Sequence, residues 1–225
     1  MTHDTLADLP KIAHSFDLTE EQRMIRDMVR DFAVSEVEPK AHEIDENHRF
    51  PVETWKRMVE LGLPGIPFPA ELGGSGGDTL SYCLAVEELA RVCGSTGLTL
   101  AAHVSLGTYP IYRWGSERMR NEYVPRLIAG EYMGAYGLTE PNAGSDSGGT
   151  QTTARRDGAG YVLNGAKCFI TNANYAGTFI VTAVTDPQLG AKGISAFVVT
   201  RDTKGFRVEP GEHKLGMRGS DWGSL

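Results

Sequence analysis

The hydrophobic pattern of this 225-residue chain changes its period near Gly130. Before that residue, apolar side chains recur at the three- and four-residue spacing of amphipathic helices. After it, short runs of β-prone residues alternate with Gly, Asn and Asp, which is typical of strands joined by tight turns. The change predicts an α+β fold, with an all-helical domain over residues 1–130 followed by an antiparallel, barrel-like β domain over residues 131–225.

Local signals divide the first half into separate helices. Thr19 followed by Gln22 forms a capping box, which predicts a helix that begins there. Asp78 and Ser116 are candidate N-caps of later helices. Pro125 lies inside the last of them and predicts a break or a kink, because proline cannot donate the helical hydrogen bond.

Turn signals divide the second half into strands. Asn164-Gly165 favours a tight turn, and it predicts a hairpin between the runs 161–163 and 167–170. Further strands are predicted over residues 178–184, 194–200 and 206–209. This gives about five or six strands, and we expect the β domain to be incomplete at Leu225.

Charge and cysteine content exclude several classes of function. The formal net charge is -7 and no dense Lys/Arg cluster occurs, which argues against a nucleic-acid or membrane partner. Three cysteines without metal-ligand spacing predict neither a disulfide framework nor a metal site, and they favour the cytoplasm. Residues 1–16 lack the pattern of a signal peptide, and no apolar run is long enough to span a membrane.

The segment 136–146 combines glycine, hydroxyl and aromatic residues without a packing reason. Pro141 prevents regular strand pairing, and Gly144, Gly148 and Gly149 allow backbone N–H groups to approach a ligand closely. Such a loop suits a planar ring that is rich in hydrogen-bond acceptors. On composition alone, a glycine-rich turn at the end of a strand explains the segment equally well.

Two motifs carry a resemblance to a known family. The run Leu-Thr-Glu-Pro, two residues and Gly-Ser-Asp within residues 136–146 resembles the flavin-binding signature of the acyl-CoA dehydrogenases, and residues 164–172 resemble their second flavin-contacting stretch. Segments 76–90, 105–108 and 214–220 resemble the family in the same order. The resemblance covers the chain from about Asp17 and is strongest to the short-chain, butyryl-CoA type.

The resemblance implies that FAD is the cofactor and that two motifs bind it. It also implies a family fold with a third, C-terminal helical domain, which we expect to be absent from residues 1–225. The expected cofactor-binding residues are Tyr136, Leu138, Thr139, Gly144, Ser145, Phe169, Ile170 and Thr171.

Individual roles also follow from the resemblance. Leu138 and Thr139 would bond the pyrimidine end of FAD, and Thr171 would bond near flavin N5. Phe169 would cover one face of the flavin, and Ser145 would contact both FAD and the CoA portion of the substrate. The alternatives are a buried strand aromatic for Phe169 and a locally packed strand hydroxyl for Thr171.

The remaining candidates are weaker. The glycine-rich segment 73–77 lacks the Lys-Ser/Thr of a phosphate-binding loop, so an interhelical loop is favoured. His42 and His103 have no partners at metal-ligand spacing, and no metal site is predicted. Glu140 lies inside the first motif, where the resemblance implies a structural role rather than that of a base.

The resemblance implies the reaction and its partners. An acyl-CoA thioester of short or medium chain would lose its α-proton to a carboxylate and its β-hydrogen to FAD, giving a trans-2-enoyl-CoA, with an electron-transferring flavoprotein as acceptor. The base is expected beyond Leu225, so the chain alone is expected to be inactive, and the full-length enzyme is expected to be a homotetramer. The alternatives are a non-catalytic flavoprotein fragment and an oxygen-using relative such as an acyl-CoA oxidase or flavin monooxygenase.

Overall fold

The first half of the molecule is helical in the computed structural model, which describes residues 17–225. The predicted absence of a signal peptide concerns residues 1–16, which lie outside the described residues. The α-helices within residues 17–225 are α1 (Glu20–Phe32), α2 (Glu38–Glu46), α3 (Val52–Glu60), α4 (Thr79–Val92), α5 (Gly94–Ala101), α6 (Tyr109–Trp114) and α7 (Glu117–Ile128).

The predicted helix starts are confirmed by their hydrogen bonds. The capping box closes in both directions, because the Gln22 N–H donates to Thr19 Oγ1 (3.2 Å) and the Thr19 N–H donates to Gln22 Oε1 (2.9 Å). Asp78 and Ser116 cap α4 and α7. However, α7 continues through Pro125 as one helix.

Two π-helical stretches were not predicted, and each of them joins two consecutive α-helices. Ala33–Val37 connects α1 to α2, and Pro39 lies in the first turn of α2, where its missing N–H costs no helical bond. Ala102–Thr108 connects α5 to α6. The second stretch borders the cleft described below, and π-helical turns are frequent at functional sites.

The second half forms two sheets. The first has the order β1-β5-β2-β3, with β6 on β5, and the second has the order β4-β8-β7. The strands are β1 (Met133–Gly137), β2 (Thr153–Asp157), β3 (Gly160–Asn164), β4 (Ile170–Thr171), β5 (Ala176–Val184), β6 (Ile194–Thr200), β7 (Glu209–Pro210) and β8 (Trp222–Ser224).

The α+β architecture is confirmed, but the sheets differ from the predicted antiparallel barrel. β1 pairs with β5 in parallel, because a long connection containing β2, β3 and β4 returns the chain to the same end of the sheet. The strands of residues 17–225 form two separate sheets rather than one closed barrel.

The predicted hairpin at Asn164-Gly165 is wrong. β3 pairs instead with β2, and the turn between them contains Gly158 at φ +58°. Gly165 has ordinary φ and packs against Thr152, where an added Cβ would lie 2.3 Å from Thr152 Oγ1. Here glycine provides close packing, which has the same sequence signature as a turn.

The helices and the first sheet share one hydrophobic core, and their backbones come into close contact at Gly107 and Gly134. A Cβ added to Gly107 would lie 2.5 Å from the Gly134 carbonyl carbon, so the π-helical stretch 102–108 lies directly on β1. The buried His103 side chain crosses the same boundary. It accepts the Gly134 N–H at Nδ1 (3.0 Å) and donates from Nε2 to the Leu127 carbonyl (3.1 Å).

Candidate functional site

A cleft of about 220 Å³ lies where the π-helical stretch 102–108 meets the end of β1 and the segment that leads into β4. It brings together six of the eight residues predicted to bind the cofactor, from both motifs. The lining residues are Ala102, Leu106, Tyr136, Leu138, Thr139, Phe169, Ile170 and Thr171.

The other two predicted residues do not line this cleft. Gly144 and Ser145 lie in the exposed loop that follows β1. This loop starts with a short bridge between Glu140 and Ala143, and Ala143 is buried while the residues after it are exposed. The roles of Gly144 and Ser145 therefore stay predictions.

The peptides of Leu138 and Thr139 are fixed from the interior. The Leu138 carbonyl accepts a hydrogen bond from Lys167 Nζ (3.1 Å), and the Thr139 carbonyl accepts one from the Cys168 N–H (2.9 Å). The second motif thereby holds the first one in place. Both residues border the cleft, so these bonds set the backbone geometry of its wall.

A buried ion pair lies on the interior side of this wall. Lys167 Nζ lies 2.7 Å from Glu140 Oε1, and the two side chains are only 2% and 5% exposed. The ammonium also donates to Thr182 Oγ1 (3.1 Å). The Glu140 carboxylate accepts from the N–H groups of Gln151 (2.7 Å) and Thr152 (3.0 Å), so the pair is well supplied with the additional bonds that a buried charge requires.

These contacts decide the protonation state of Glu140. Burial alone would raise its pKa, but hydrogen bonds from Lys167, Thr152 and Gln151 outweigh burial and lower the pKa to about 2. Glu140 is thus an anion near neutral pH whose oxygens are already bonded. This geometry suits a structural role for Glu140 rather than the role of a catalytic base, as the resemblance implies.

Phe169 projects from the edge of the cleft. Its backbone adopts φ +60°, which is uncommon for a residue other than glycine, and its side chain is 68% exposed. The ring stacks on Trp222, with 5.4 Å between centroids and 27° between planes. The alternative of a buried strand aromatic is wrong, and the exposed ring remains available to a ligand.

The turn after Phe169 is held rigidly. Ile170 is buried, and Thr171 pairs with Trp222 where β4 meets β8. Asn172 is fully buried at φ +65°, its N–H donates to the Asp221 carbonyl (3.0 Å), and its Nδ2 donates to the Thr99 carbonyl (3.2 Å). The cleft residues of the second motif are therefore fixed to β8 and α5.

Sequence reasoning missed Lys167 and Trp222 as parts of the site. Lys167 lies inside the second motif. A lysine beside a β-prone run does not by itself indicate a buried ion pair, and the pair becomes evident only when Glu140 is known to lie near it. No local sequence pattern points to Trp222, since its contact with Phe169 spans 53 positions of the chain.

The other sequence candidates have structural explanations. His103 is fully buried with both ring nitrogens bonded, and burial lowers its pKa to about 4 against the opposing effect of the Leu127 carbonyl. In residues 17–225, no group of three or more His, Cys, Asp or Glu could hold a metal ion.

A search of the same residues finds no helix that is long and apolar enough to cross a membrane.

Comparison with protein families matches almost all of the described chain. Residues 19–131 match the family described as "Acyl-CoA dehydrogenase, N-terminal domain", and residues 135–225 match "Acyl-CoA dehydrogenase, middle domain". The first match ends between α7 and β1, and the second begins within β1, close to the point where the hydrophobic period changes.

Individual proteins give the same result. The chain is 54% identical to "Acyl-CoA dehydrogenase, short-chain specific" of Clostridium acetobutylicum over 91% of this chain and 54% of that protein. Among solved structures it resembles butyryl-CoA dehydrogenase from Megasphaera elsdenii (TM-score 0.89, 39% identity, 93% of this chain and 56% of that one). It also resembles an acyl-CoA dehydrogenase complexed with FAD from Bacillus anthracis (TM-score 0.84, 40% identity, 92% of this chain and 35% of that one). The chain spans about half the length of the curated relatives that it matches.

Proposed function

Because this chain belongs to the acyl-CoA dehydrogenase family, we propose that it forms the flavin-binding part of an enzyme that dehydrogenates acyl-CoA thioesters between Cα and Cβ. The observation that supports the proposal most is the cleft in which two separate motifs meet. Six predicted cofactor residues come together there although 35 positions separate Tyr136 from Thr171.

FAD fits the chemistry of this cleft. An exposed aromatic ring, Phe169, offers a stacking surface, and Leu138 and Thr139, whose carbonyls are held from the interior, border the same cleft with their backbone. Thr171 also lines the cleft, and its hydroxyl would bond the flavin. These residues would hold the flavin ring, and FAD, when bound, would accept the hydride that leaves the substrate.

The contribution of this chain is to bind and orient. The Lys167–Glu140 pair would keep the backbone donors in position before the ligand arrives, so that no reorganisation is needed on binding. Phe169 would exclude water from one ring face and leave the other for the thioester. Ser145, on the loop after β1, would contact the CoA portion.

A short acyl chain is the proposed substrate class. The short-chain specific relative and the structural similarity to a butyryl-CoA dehydrogenase both support four-carbon substrates. The test is a comparison of kcat/KM for straight-chain thioesters of four to sixteen carbons, with the enzyme encoded by the complete reading frame. A maximum at four to eight carbons is expected, and a maximum on long or branched chains would contradict the proposal.

Partners and location are proposed on the same ground. An electron-transferring flavoprotein would reoxidise the reduced cofactor, and the full-length enzyme would assemble as a homotetramer. The homotetramer and a cytoplasmic location stay predictions.

Anaerobic reduction distinguishes the proposal from its alternatives. Butyryl-CoA added without oxygen should bleach the visible flavin absorbance of the FAD-loaded full-length enzyme, and added electron-transferring flavoprotein should restore it. No bleaching would favour a non-catalytic flavoprotein. Rapid recovery on admission of air alone, with hydrogen peroxide formed, would favour an acyl-CoA oxidase.

A further inference from the structure

A second cleft of about 220 Å³ lies between the end of α2 and the segment that leads into β8, and it shares no lining residue with the first. Two histidines meet in it. The Nδ1 atoms of His48 and His213 are 3.0 Å apart, although the residues are separated by 165 positions. The proposed function uses neither residue.

The two imidazole rings do not point straight at each other. Their planes are nearly perpendicular (86°), and their centroids are only 4.3 Å apart, closer than a collinear arrangement of the two nitrogens allows. The two Nδ1 atoms therefore form one hydrogen bond when one ring carries a proton there, and they offer two donor nitrogens to one ion when neither does. An ion at ~2.0–2.1 Å from each nitrogen would subtend an angle of roughly 95° between them. That angle suits the tetragonal geometry of Ni²⁺ and Cu²⁺ better than a tetrahedron.

The charges around the cleft are compatible with a cation. Arg218 is neutralised by Asp45 (2.8 Å) and Glu46 (3.1 Å). Lys214 is directed to the Ser220 carbonyl (2.7 Å), and the remaining charged side chains of the lining are the carboxylates of Glu212 and Asp221.

The backbone at His48 also favours a positive charge and brings the two histidines together. His48 follows the C-terminal end of α2, where the helix dipole favours a positive charge. Its φ is +50°, a conformation that histidine adopts more readily than most residues but that normally belongs to glycine or asparagine at a helix end. This conformation places the imidazole beside His213.

We propose that His48 and His213 form a binding site for one divalent transition-metal ion of the nickel and copper class, completed by water. Bound metal links the end of α2 to the segment before β8, and hence the helical half of the chain to the sheet half. The site is independent of flavin binding and of the proposed dehydrogenase activity.

Calorimetric titration with NiCl₂ tests the site on the full chain without a polyhistidine tag. His3 and His14 are replaced by Gln in every sample, because histidines near a free amino terminus also bind Ni²⁺. One bound Ni²⁺ is expected. H48N and H213Q should each weaken it by roughly tenfold or more, since each removes one of two protein ligands. Asn is chosen at position 48 because it tolerates positive φ.

The matched control is H42Q, which removes an exposed histidine of α2 and should leave the affinity unchanged. Ni²⁺ should also raise the melting temperature of the background protein and of H42Q, but not that of H213Q, because only folded protein with both histidines binds the ion. Equal Ni²⁺ affinity in all variants, or no binding by the background protein, would show that the two rings form a hydrogen bond only.

Discussion

The two ends of β1 are anchored by different kinds of buried polar group. At its start, the neutral His103 joins the Gly134 N–H to the Leu127 carbonyl of α7. Just past its end, the charged Lys167–Glu140 pair fixes the Leu138 carbonyl and the loop that follows. The first anchor docks the helices on the sheet, and the second shapes the wall of the cleft. A neutral group is sufficient for packing, whereas the charged pair satisfies several backbone groups at once.

The largest expected effect comes from removing one charge of the pair. Lys167→Met leaves Glu140 buried without its cation, and it should reduce the free energy of unfolding by about 3–5 kcal/mol. Urea unfolding at pH 7 measures this. The matched control is Arg118→Met, which breaks an exposed pair with Glu122 and should cost less than about 1 kcal/mol. Equal losses in both variants would contradict the anchoring role of the pair.

The second prediction concerns acid. The folded-state pKa of Glu140 is about 2 against an ordinary value of 4.5, so the carboxylate stabilises the folded chain above pH 4.5, and this contribution is lost as the pH falls from 4.5 to 2. Glu140→Gln should lower the free energy of unfolding by on the order of 3 kcal/mol at neutral pH and flatten its slope in that window. Urea unfolding at a series of pH values checks this, and an unchanged slope would count against it.

The opposite end of β1 should respond in a different window. The pKa of His103 falls from 6.5 in the unfolded chain to about 4 when folded, so stability is unaffected above pH 6.5 and is lost between pH 6.5 and 4. His103→Gln should cost about 2 kcal/mol at pH 7 and remove that slope. The exposed His42→Gln serves as control. If H103Q keeps the wild-type slope between pH 6.5 and 4, His103 is not the titrating group.

The smallest effect on stability is expected from Phe169, at the exposed edge of the first cleft. Phe169→Ala should change the free energy of unfolding by less than about 0.5 kcal/mol, because the ring is 68% exposed. FAD affinity should nevertheless fall by up to about tenfold through the lost stacking surface. Trp114→Ala removes a similarly exposed ring and should leave FAD affinity unaffected. Flavin fluorescence titration measures both, and equal affinities would remove Phe169 from the site.

Sequence alone predicts most of the helical half. The caps at Thr19, Asp78 and Ser116 act within three residues, so their signal is complete in a short window. Sheet pairing behaves differently. The parallel contact of β1 with β5 and the use of Gly165 for packing depend on segments far apart in the chain, and a local pattern does not contain them.

The candidate site divides along the same line. Its motifs are contiguous, so sequence predicts that residues 136–139 and 169–171 act together. The residues that hold them are distant in sequence. Lys167 meets Glu140 across 27 positions, and Trp222 supports Phe169 only because β8 pairs with β4. The sequence therefore locates the residues that would bind the cofactor. The contacts that hold these residues rigid depend on the tertiary structure.

Hydrogen exchange of the backbone amides, measured by mass spectrometry with and without FAD, tests the central claim most directly. If the cleft binds the flavin ring, FAD should slow exchange in segments 136–139 and 169–171 and leave segment 210–214, beside the second cleft, unchanged. Phe169→Ala should reduce the protection. No protection in either motif, or protection that appears elsewhere instead, would contradict the assignment of this cleft to the cofactor.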